Sequence, residues 1–145
     1  MEVRIIMDPK AETPYIELHT ARVTPEITAL VNQLSEGASR LLGFKGEEVI
    51  PLNLSELIRV YTEEGRVMAE TDYGILTLRY RLYEIENMLN GPSFLKISNS
   101  EIINFTKVRS MNMGISGTIT VTLSSGTKTF VSRRYVARIK DFLGL

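Results

Sequence analysis

The sequence predicts a mostly β protein of the α+β class, with antiparallel strands packed as a sandwich and a few short helices. Between residues 39 and 131, apolar and β-branched residues form short runs of four to six residues, and turns such as Glu63-Glu64-Gly65 and Ser124-Ser125-Gly126 separate them. Helical spacing of apolar residues occurs in three stretches. Hydrophobic residues make up 43% of the 145 residues, which is enough to build a core without disulfides or metal.

The first 38 residues predict a β-β-α extension. Glu2 to Met7 alternates and is rich in β-branched residues, which predicts a strand, and a second strand is expected at Tyr15 to His19. Thr24-Pro25-Glu26 then provides an N-cap, a proline at the first helical position and an acid in the first turn of a helix that ends before Gly37. So small a unit cannot bury enough apolar surface alone, so we expect it to pack on another surface.

Residues 39–145 predict a β domain with short connections. A helix is expected at residues 81–89, with Leu82, Ile85 and Leu89 on one face, and Ser132 is expected to cap a final helix that carries Tyr135 and Ile139. The predicted strands are residues 40–44, 48–52, 57–62, 66–71, 74–78, 94–97, 106–111, 118–123 and 128–131.

Charge is divided unevenly along the chain. Residues 94–145 contain eight basic and two acidic residues, a net charge of +6, whereas residues 1–93 contain nine basic and fifteen acidic residues, a net charge of −6. A basic part suits a polyanion, and an acidic part suits water or a partner protein. Chance clustering of charges on a solvated face is the alternative.

The sequence does not favour an enzyme. Without cysteine there is no disulfide, thiolate metal site or cysteine nucleophile, and the single histidine, His19, cannot form a catalytic or metal-binding set alone. The acidic pairs at residues 47–48 and 63–64 lie in turns beside glycine, where solvated charge is the usual explanation. No glycine-rich phosphate loop is present. We expect no catalysis, no cofactor and no metal.

A polar tip lies within residues 94–108, where one strand is followed by a second apolar run. The tip carries Lys96, Ser98, Asn99 and Ser100. An asparagine amide can pair with an adenine edge, serine hydroxyls suit phosphate, and lysine supplies positive charge for the DNA backbone. The asparagine and serines could instead form a turn through hydrogen bonds between side chain and backbone, and the local chemistry leaves both interpretations open.

A second polar segment lies within residues 126–140, where a strand ends in Ser132, Arg133 and Arg134 at the start of a helix. Positive side chains are unfavourable there because the helix N-terminus is already partly positive. A phosphate, or a guanine edge held by the guanidinium fork, would relieve the conflict. A solvated arginine pair is the alternative, at a cost of about half a kcal/mol.

Together the two segments resemble the signature of the LytTR family of DNA-binding domains. Phe-Leu-Lys-Ile-Ser-Asn-Ser-Glu-Ile-Ile-Asn at residues 94–104 is similar to its first segment, and Gly126 followed by Val-Ser-Arg-Arg-Tyr at residues 131–135 is similar to its second. The helix at residues 81–89 stands where the family has a helix. The resemblance covers residues 39–145 and implies stacked antiparallel sheets whose loops enter successive major grooves.

The resemblance also implies roles for individual residues. Asn99 resembles the base-contacting residue of the first signature loop, and Arg134, with Arg133 beside it, resembles that of the second. By their positions, the remaining residues resemble phosphate-side or loop-shaping neighbours, namely Lys96, Ser98 and Ser132.

Two departures from the family pattern matter. A third contact commonly comes from an earlier hairpin loop, near residues 53–59 here, where Arg59 is the only basic residue and Leu57 and Ile58 make the loop apolar. Many members also carry a receiver domain, which 38 residues cannot hold. The chain instead resembles stand-alone members with a short β-β-α lead, often paired with a small membrane protein, so its control by phosphorylation is not expected.

The sequence therefore predicts a sequence-specific, DNA-binding bacterial transcription regulator that acts as a homodimer on double-stranded DNA. It contains no signal peptide pattern and no apolar run of membrane-spanning length, so a cytoplasmic location is expected. Lys107 and Lys128 are expected to make contacts that do not depend on DNA sequence. The alternative is a protein-interaction module whose acidic N-terminal part docks a membrane signalling partner.

Overall fold

A computed structural model describes residues 1–12, 14–34, 41–89 and 93–145. Two short turns of 3-10 helix, Leu54–Glu56 and Phe105–Lys107, each precede a strand. Within the described residues the helices and strands are, in chain order, α1 (Pro25–Leu34), β1 (Leu42–Lys45), β2 (Glu48–Pro51), β3 (Leu57–Glu63), β4 (Arg66–Thr71), β5 (Gly74–Leu78), α2 (Leu82–Met88), β6 (Phe94–Ser98), β7 (Glu101–Asn104), β8 (Val108–Met113), β9 (Ile119–Leu123), β10 (Lys128–Val131) and α3 (Arg133–Leu143).

The strands form two antiparallel sheets. The larger has seven strands in the order β2-β1-β5-β4-β3-β7-β6, and the smaller has three in the order β10-β9-β8. Most neighbouring strands follow one another along the chain, whereas β1 pairs with β5 and β3 pairs with β7. The mostly β fold with antiparallel sheets and short helices, predicted from the sequence, is confirmed.

The large sheet packs apolar side chains on both of its faces. Helix α2 packs on one face through Leu82 and Ile85, while the small sheet and α3 cover the other face. Side chains alternate between the two faces, as the period of a β-strand requires: in β7, Ile102 belongs to the α2 side and Ile103 to the other. The central strands are therefore covered on both faces.

A β-bulge in β3 interrupts this alternation. The pairing of β3 with β4 shifts register between Leu57 and Arg59. As a result Ile58 and Arg59 lie on the same face of the sheet, although they are adjacent in sequence. Ile58 packs with the small sheet, and the ion-pair partners of Arg59 also form hydrogen bonds to that sheet. The bulge thus places a charged side chain between the two sheets.

Strand β10 crosses the large sheet and links its strands. The hydroxyl of Thr127, just before β10, donates to Glu70 of β4 at 2.9 Å, and the hydroxyl of Thr129 donates to Glu101 of β7. After β10, the backbone N–H of Ser132 donates to the carbonyl of Ile97 in β6 at 2.8 Å. The small sheet therefore lies across successive strands of the large one.

Arg59 is the centre of a buried polar network between the sheets. Its Nε donates to Glu70 at 2.5 Å and its Nη1 to Glu101 at 2.8 Å, and its guanidinium lies 3.9 Å from the ring centre of Tyr61. Burial works against the charge on Arg59, yet the bonds to both carboxylates keep the pKa of its guanidinium above its usual value. Burial likewise opposes ionisation of Glu70, but hydrogen bonds from Ser125, Arg59 and Thr127 outweigh it and hold the pKa of that carboxyl below its usual value.

The N-terminal extension differs from the prediction. Helix α1 begins at Pro25 as expected, and the Thr24 hydroxyl accepts a hydrogen bond from the backbone N–H of Ile27 at 3.4 Å. The strands expected at residues 2–7 and 15–19 are wrong: those residues form no strand, and Ile5 is 94% exposed. A strand needs a partner for its backbone groups, and alternation alone does not supply one. The predicted domain boundary at residues 38–39 lies outside the described residues.

Two asparagines organise the starts of β3 and β8 in the same way. The side-chain oxygen of Asn53 accepts a hydrogen bond from the backbone N–H of Ser55, and that of Asn104 accepts one from the backbone N–H of Thr106. Asn104 is also buried and donates through Nδ2 to the carbonyl of Leu57 at 2.8 Å. The last asparagine of the first signature segment therefore supports the fold.

Candidate nucleic-acid interface

The turn between β6 and β7 forms a polar tip at one end of the large sheet. Ser98 accepts a hydrogen bond on its hydroxyl from the backbone N–H of Ser100 at 3.2 Å, and the Ser100 carbonyl accepts one from the backbone N–H of Thr62 in β3 at 2.9 Å. Asn99 stands between the two serines and is exposed. The serines therefore shape the turn, as one of the two interpretations expects, while the DNA contact expected of the exposed Asn99 stays a prediction.

The start of α3 lies beside this tip. The hydrogen bond from Ser132 to Ile97 ties the first residue before the helix to the end of β6. Ile139, which is 1% exposed, anchors the helix in the core shared with the small sheet, and Gly144 ends it in a left-handed conformation with φ of 74°. The backbone bond of Ser132 therefore holds the start of α3 at the large sheet, and the buried Ile139 anchors the helix further along.

Ser132 takes the N-cap position that the sequence predicts, but its side chain makes no capping hydrogen bond to the helix in the described structure. Its backbone is extended, with φ of −68° and ψ of 152°, and the first turn of α3 contains Arg133 and Arg134 and no acid. Both arginines are exposed. The positive end of the helix dipole and two guanidinium groups therefore coincide, an arrangement that favours an anion.

Tyr135 connects the tip to the helix. Its hydroxyl donates to Oδ1 of Asn99 at 2.9 Å, and the guanidinium of Arg138 lies 5.3 Å from its ring centre. Since Tyr135 follows Arg134 directly, this bond joins the two sequence segments that were singled out for DNA contact. The sequence analysis did not assign Tyr135 a role, and only its place in the second segment could have drawn attention to it.

Arg59 is placed differently from the sequence expectation. It was expected in a loop, but it lies within β3, and its side chain is 16% exposed and ion-paired to Glu70 and Glu101. The apolar neighbours noted in the sequence fill the core on both faces of the sheet, with Leu57 on one and Ile58 on the other. Arg59 therefore supports the packing of the two sheets.

Two lysines also lie away from the tip. Lys96 faces α2, where its Nζ bonds Glu86 at 3.1 Å. Lys107 lies beyond the far end of β7 and bonds Asp72 at 2.8 Å. The expectation that Lys107 contacts DNA together with the tip is therefore not supported by its position.

The hairpin between β3 and β4 comes to the same end of the sheet as the tip. Its residues Glu63, Glu64 and Arg66 are exposed, and Thr62 bonds Ser100. The turn at residues 54–56, where a third contact was expected, lies at the opposite end, beside Asn104. Arg66 is thus a basic residue near the tip that was not predicted from the sequence. Strand pairing, and not the order of residues along the chain, determines which turns lie together.

No metal-binding group is found in the described part of the chain. Among residues 1–12, 14–34, 41–89 and 93–145, no group of three or more His, Asp or Glu residues could hold a metal ion. His19 lies beside Glu17 at 3.3 Å, and both are exposed. No helix described here has the length and apolar content needed to cross a membrane.

Comparisons with known proteins identify the family and the fold. The LytTr DNA-binding domain family matches residues 47–144. Uncharacterised HTH-type transcriptional regulators of Staphylococcus aureus are similar along the whole chain: that of strain MSSA476 is 27% identical and that of strain NCTC 8325 is 26% identical, each covering 100% of this chain and 99% of the relative. The solved LytTr DNA-binding domain of a Bacillus cereus protein described as a methyl-accepting/DNA response regulator has a TM-score of 0.70 at 21% identity, and covers 75% of this chain and 100% of that one.

Proposed function

The chain belongs to the LytTR DNA-binding domain family, and from this premise we propose that it is a sequence-specific, DNA-binding transcription regulator. The observation that carries the proposal is the hydrogen bond between Tyr135 and Asn99, which brings the tip and the arginine-bearing start of α3 to one end of the molecule. The similarity to named transcriptional regulators of Staphylococcus aureus supports the same function.

We propose that this end of the molecule enters the major groove. Asn99 would read a base edge from the tip, and Arg134 would read a guanine edge or hold a phosphate from the start of α3. Arg133, Ser98 and Ser132 would contact the phosphates on either side. The loops would enter successive major grooves, with Arg66 of the neighbouring hairpin the basic residue best placed for a further contact.

Substitution of the proposed base readers tests this function. Duplexes enriched from a random-sequence library by the wild-type chain would serve as the specific probe, and a scrambled duplex of equal composition as the non-specific one. Asn99→Ala and Arg134→Ala should each weaken binding to the enriched duplex by roughly 5- to 100-fold and change binding to the scrambled duplex much less.

Lys107→Ala is the matched control, because it removes a positive charge at the opposite end of the sheet. It should leave both affinities close to those of the wild type. An equal loss in all three variants, or no enrichment of any sequence by the wild-type chain, would contradict the proposal.

A homodimer is proposed as the acting form, and the N-terminal extension as its contact surface. Val3, Ile5, Ile6 and Met7 are each at least 85% exposed, and they precede the amphipathic helix α1. Exposed apolar residues in such number mark an interaction surface. Sedimentation of the whole chain and of a chain that begins at residue 41 should give a dimer and a monomer, respectively.

The alternative function, docking of a membrane signalling partner through the acidic N-terminal part, uses the same surface. A whole chain that remains monomeric, shows no sequence preference in DNA binding and binds a small membrane protein through residues 1–38 would favour this alternative. A dimer that shifts the enriched duplex would favour the regulator.

A further inference from the structure

We propose that Tyr135 is a positioning residue that fixes the side-chain amide of Asn99, so that Asn99 presents its Nδ2 group to the DNA. The inference rests on the proposed function, since it concerns how the same tip recognises a base. It limits which base edges Asn99 can recognise, and it gives Tyr135 a role other than direct contact with DNA.

The geometry makes Tyr135 the fixed partner in this pair. Its ring is half-buried against the core that contains Ile97 and Ile139, and Arg138 covers the ring from one turn further along α3. Asn99, by contrast, is exposed at the turn, where an amide side chain could rotate. The hydrogen bond of 2.9 Å from the tyrosine hydroxyl holds the amide with Oδ1 toward the tyrosine.

That orientation determines which hydrogen-bonding groups remain for a base. An asparagine amide has one oxygen that accepts and one nitrogen that donates two hydrogens. With Oδ1 turned to Tyr135, Nδ2 points away from it as a donor. The pairing with adenine considered from the sequence needs the oxygen and the nitrogen together, because adenine presents an acceptor beside a donor. The bond to Tyr135 occupies one of the two acceptor positions of Oδ1, so adenine would have to share that oxygen with the tyrosine.

A base edge with acceptors alone fits the fixed amide better. In the major groove, guanine presents the acceptors N7 and O6, and thymine presents O4. We therefore expect guanine or thymine at the position that Asn99 reads. In a chain without the tyrosine hydroxyl, the amide can turn over and the discrimination against adenine should weaken.

A double-substitution series with the enriched and scrambled duplexes tests the inference. Tyr135→Phe should weaken binding to the enriched duplex roughly 3- to 10-fold, the effect of one hydrogen bond, and leave binding to the scrambled duplex unchanged. Tyr135→Phe should lose base preference at the same base pair as Asn99→Ala. The double variant should bind no more weakly than Asn99→Ala alone, because the tyrosine acts through the asparagine.

Tyr83→Phe, at an exposed tyrosine of α2, is the matched control and should bind both duplexes as the wild type does. Additive losses in the double variant, or an equal loss on the scrambled duplex, would overturn the inference, since both would mean that Tyr135 contacts DNA itself. An unchanged base preference at that base pair in Tyr135→Phe would overturn it as well.

A measurement without DNA separates this inference from the proposed function. In nitrogen-15 NMR spectra of the whole chain, Tyr135→Phe should shift the side-chain amide signals of Asn99 and speed their exchange with water, whereas Tyr83→Phe should not. Unchanged Asn99 signals would overturn the positioning role even if the chain binds its operator. A wild-type chain that enriches no sequence would overturn the proposed function, and this inference with it, even if the signals shift.

Discussion

Replacing Arg59 by methionine tests the buried network between the sheets. The side chains of Arg59, Glu70 and Glu101 are 16%, 9% and 8% exposed, so the network behaves as a buried one, and the small values expected of surface ion pairs do not apply. Methionine fills much of the same volume but leaves two carboxylates facing each other without a cation. Removing one partner of a buried pair costs about 3–5 kcal/mol in the free energy of unfolding at pH 7.

The same variant should respond to acid in the opposite sense to the wild type. In the wild type the pKa of Glu70 lies below its ordinary value of 4.5, so its contribution to stability is complete above that pH and is lost as the pH falls through the lowered pKa. In Arg59→Met the carboxylate of Glu101 repels that of Glu70 without a cation between them, and the pKa of Glu70 rises. The folded variant then binds more protons than the unfolded chain, so its stability increases as the pH falls from 7 to 5.

Urea unfolding followed by circular dichroism at pH 7 and pH 5 measures both effects. Arg59→Met should lose about 3–5 kcal/mol at pH 7 and recover part of it at pH 5, whereas the control Arg66→Met, in an exposed hairpin, should stay within about 0.5 kcal/mol of the wild type. Adding Glu70→Gln and Glu101→Gln to Arg59→Met should restore stability at pH 7. A loss below 1 kcal/mol, or a variant whose stability does not increase between pH 7 and pH 5, would refute the reasoning.

Three further predictions concern packing, capping and charge. Gly43→Ala should cost about 1–3 kcal/mol in urea unfolding, because the added Cβ would lie 2.6 Å from Cδ1 of Leu76; unchanged stability would show that Leu76 moves aside. Thr24→Ala should destabilise α1 by about 1 kcal/mol by removing the bond to Ile27, seen as a loss of helical circular dichroism without a change in the melting of the β domain. Arg133→Ala should reduce the slope of log affinity against log salt by about one, and an unchanged slope would mean that Arg133 contacts no phosphate.

Strand positions could be predicted from the sequence wherever turn residues bound an apolar run. Strands β4, β5 and β10 occupy the predicted residues, because glycine or a charged turn marks their ends. Strand β7 was described only as an apolar run, since its four residues, two of them polar, show no alternation. The two strands expected before α1 were wrongly predicted, because a local sequence pattern does not reveal whether a partner strand is present.

Part of the candidate site could likewise be predicted from the sequence, where local residue chemistry was enough to identify a residue. Asn99 and Arg134 were assigned from residue chemistry and from the family signature, and both are exposed at one end of the structure, although no DNA contact has been tested. Arg59 was misplaced because the buried acids that pair with it are 11 and 42 residues away in sequence. Tyr135 could not be recognised, since the contact that defines it spans 36 residues.

Three hydrogen bonds hold the end of the protein that is proposed to bind DNA in one shape before any duplex arrives: Ser132 to Ile97, Thr62 to Ser100 and Tyr135 to Asn99. Such a preorganised surface has little conformational entropy to lose on association, so the protein itself contributes few structural adjustments. Any mismatch in curvature must then be taken up by the double helix. Operators with flexible pyrimidine–purine steps beside the contacted bases should bind more tightly than stiff ones with the same contacted bases.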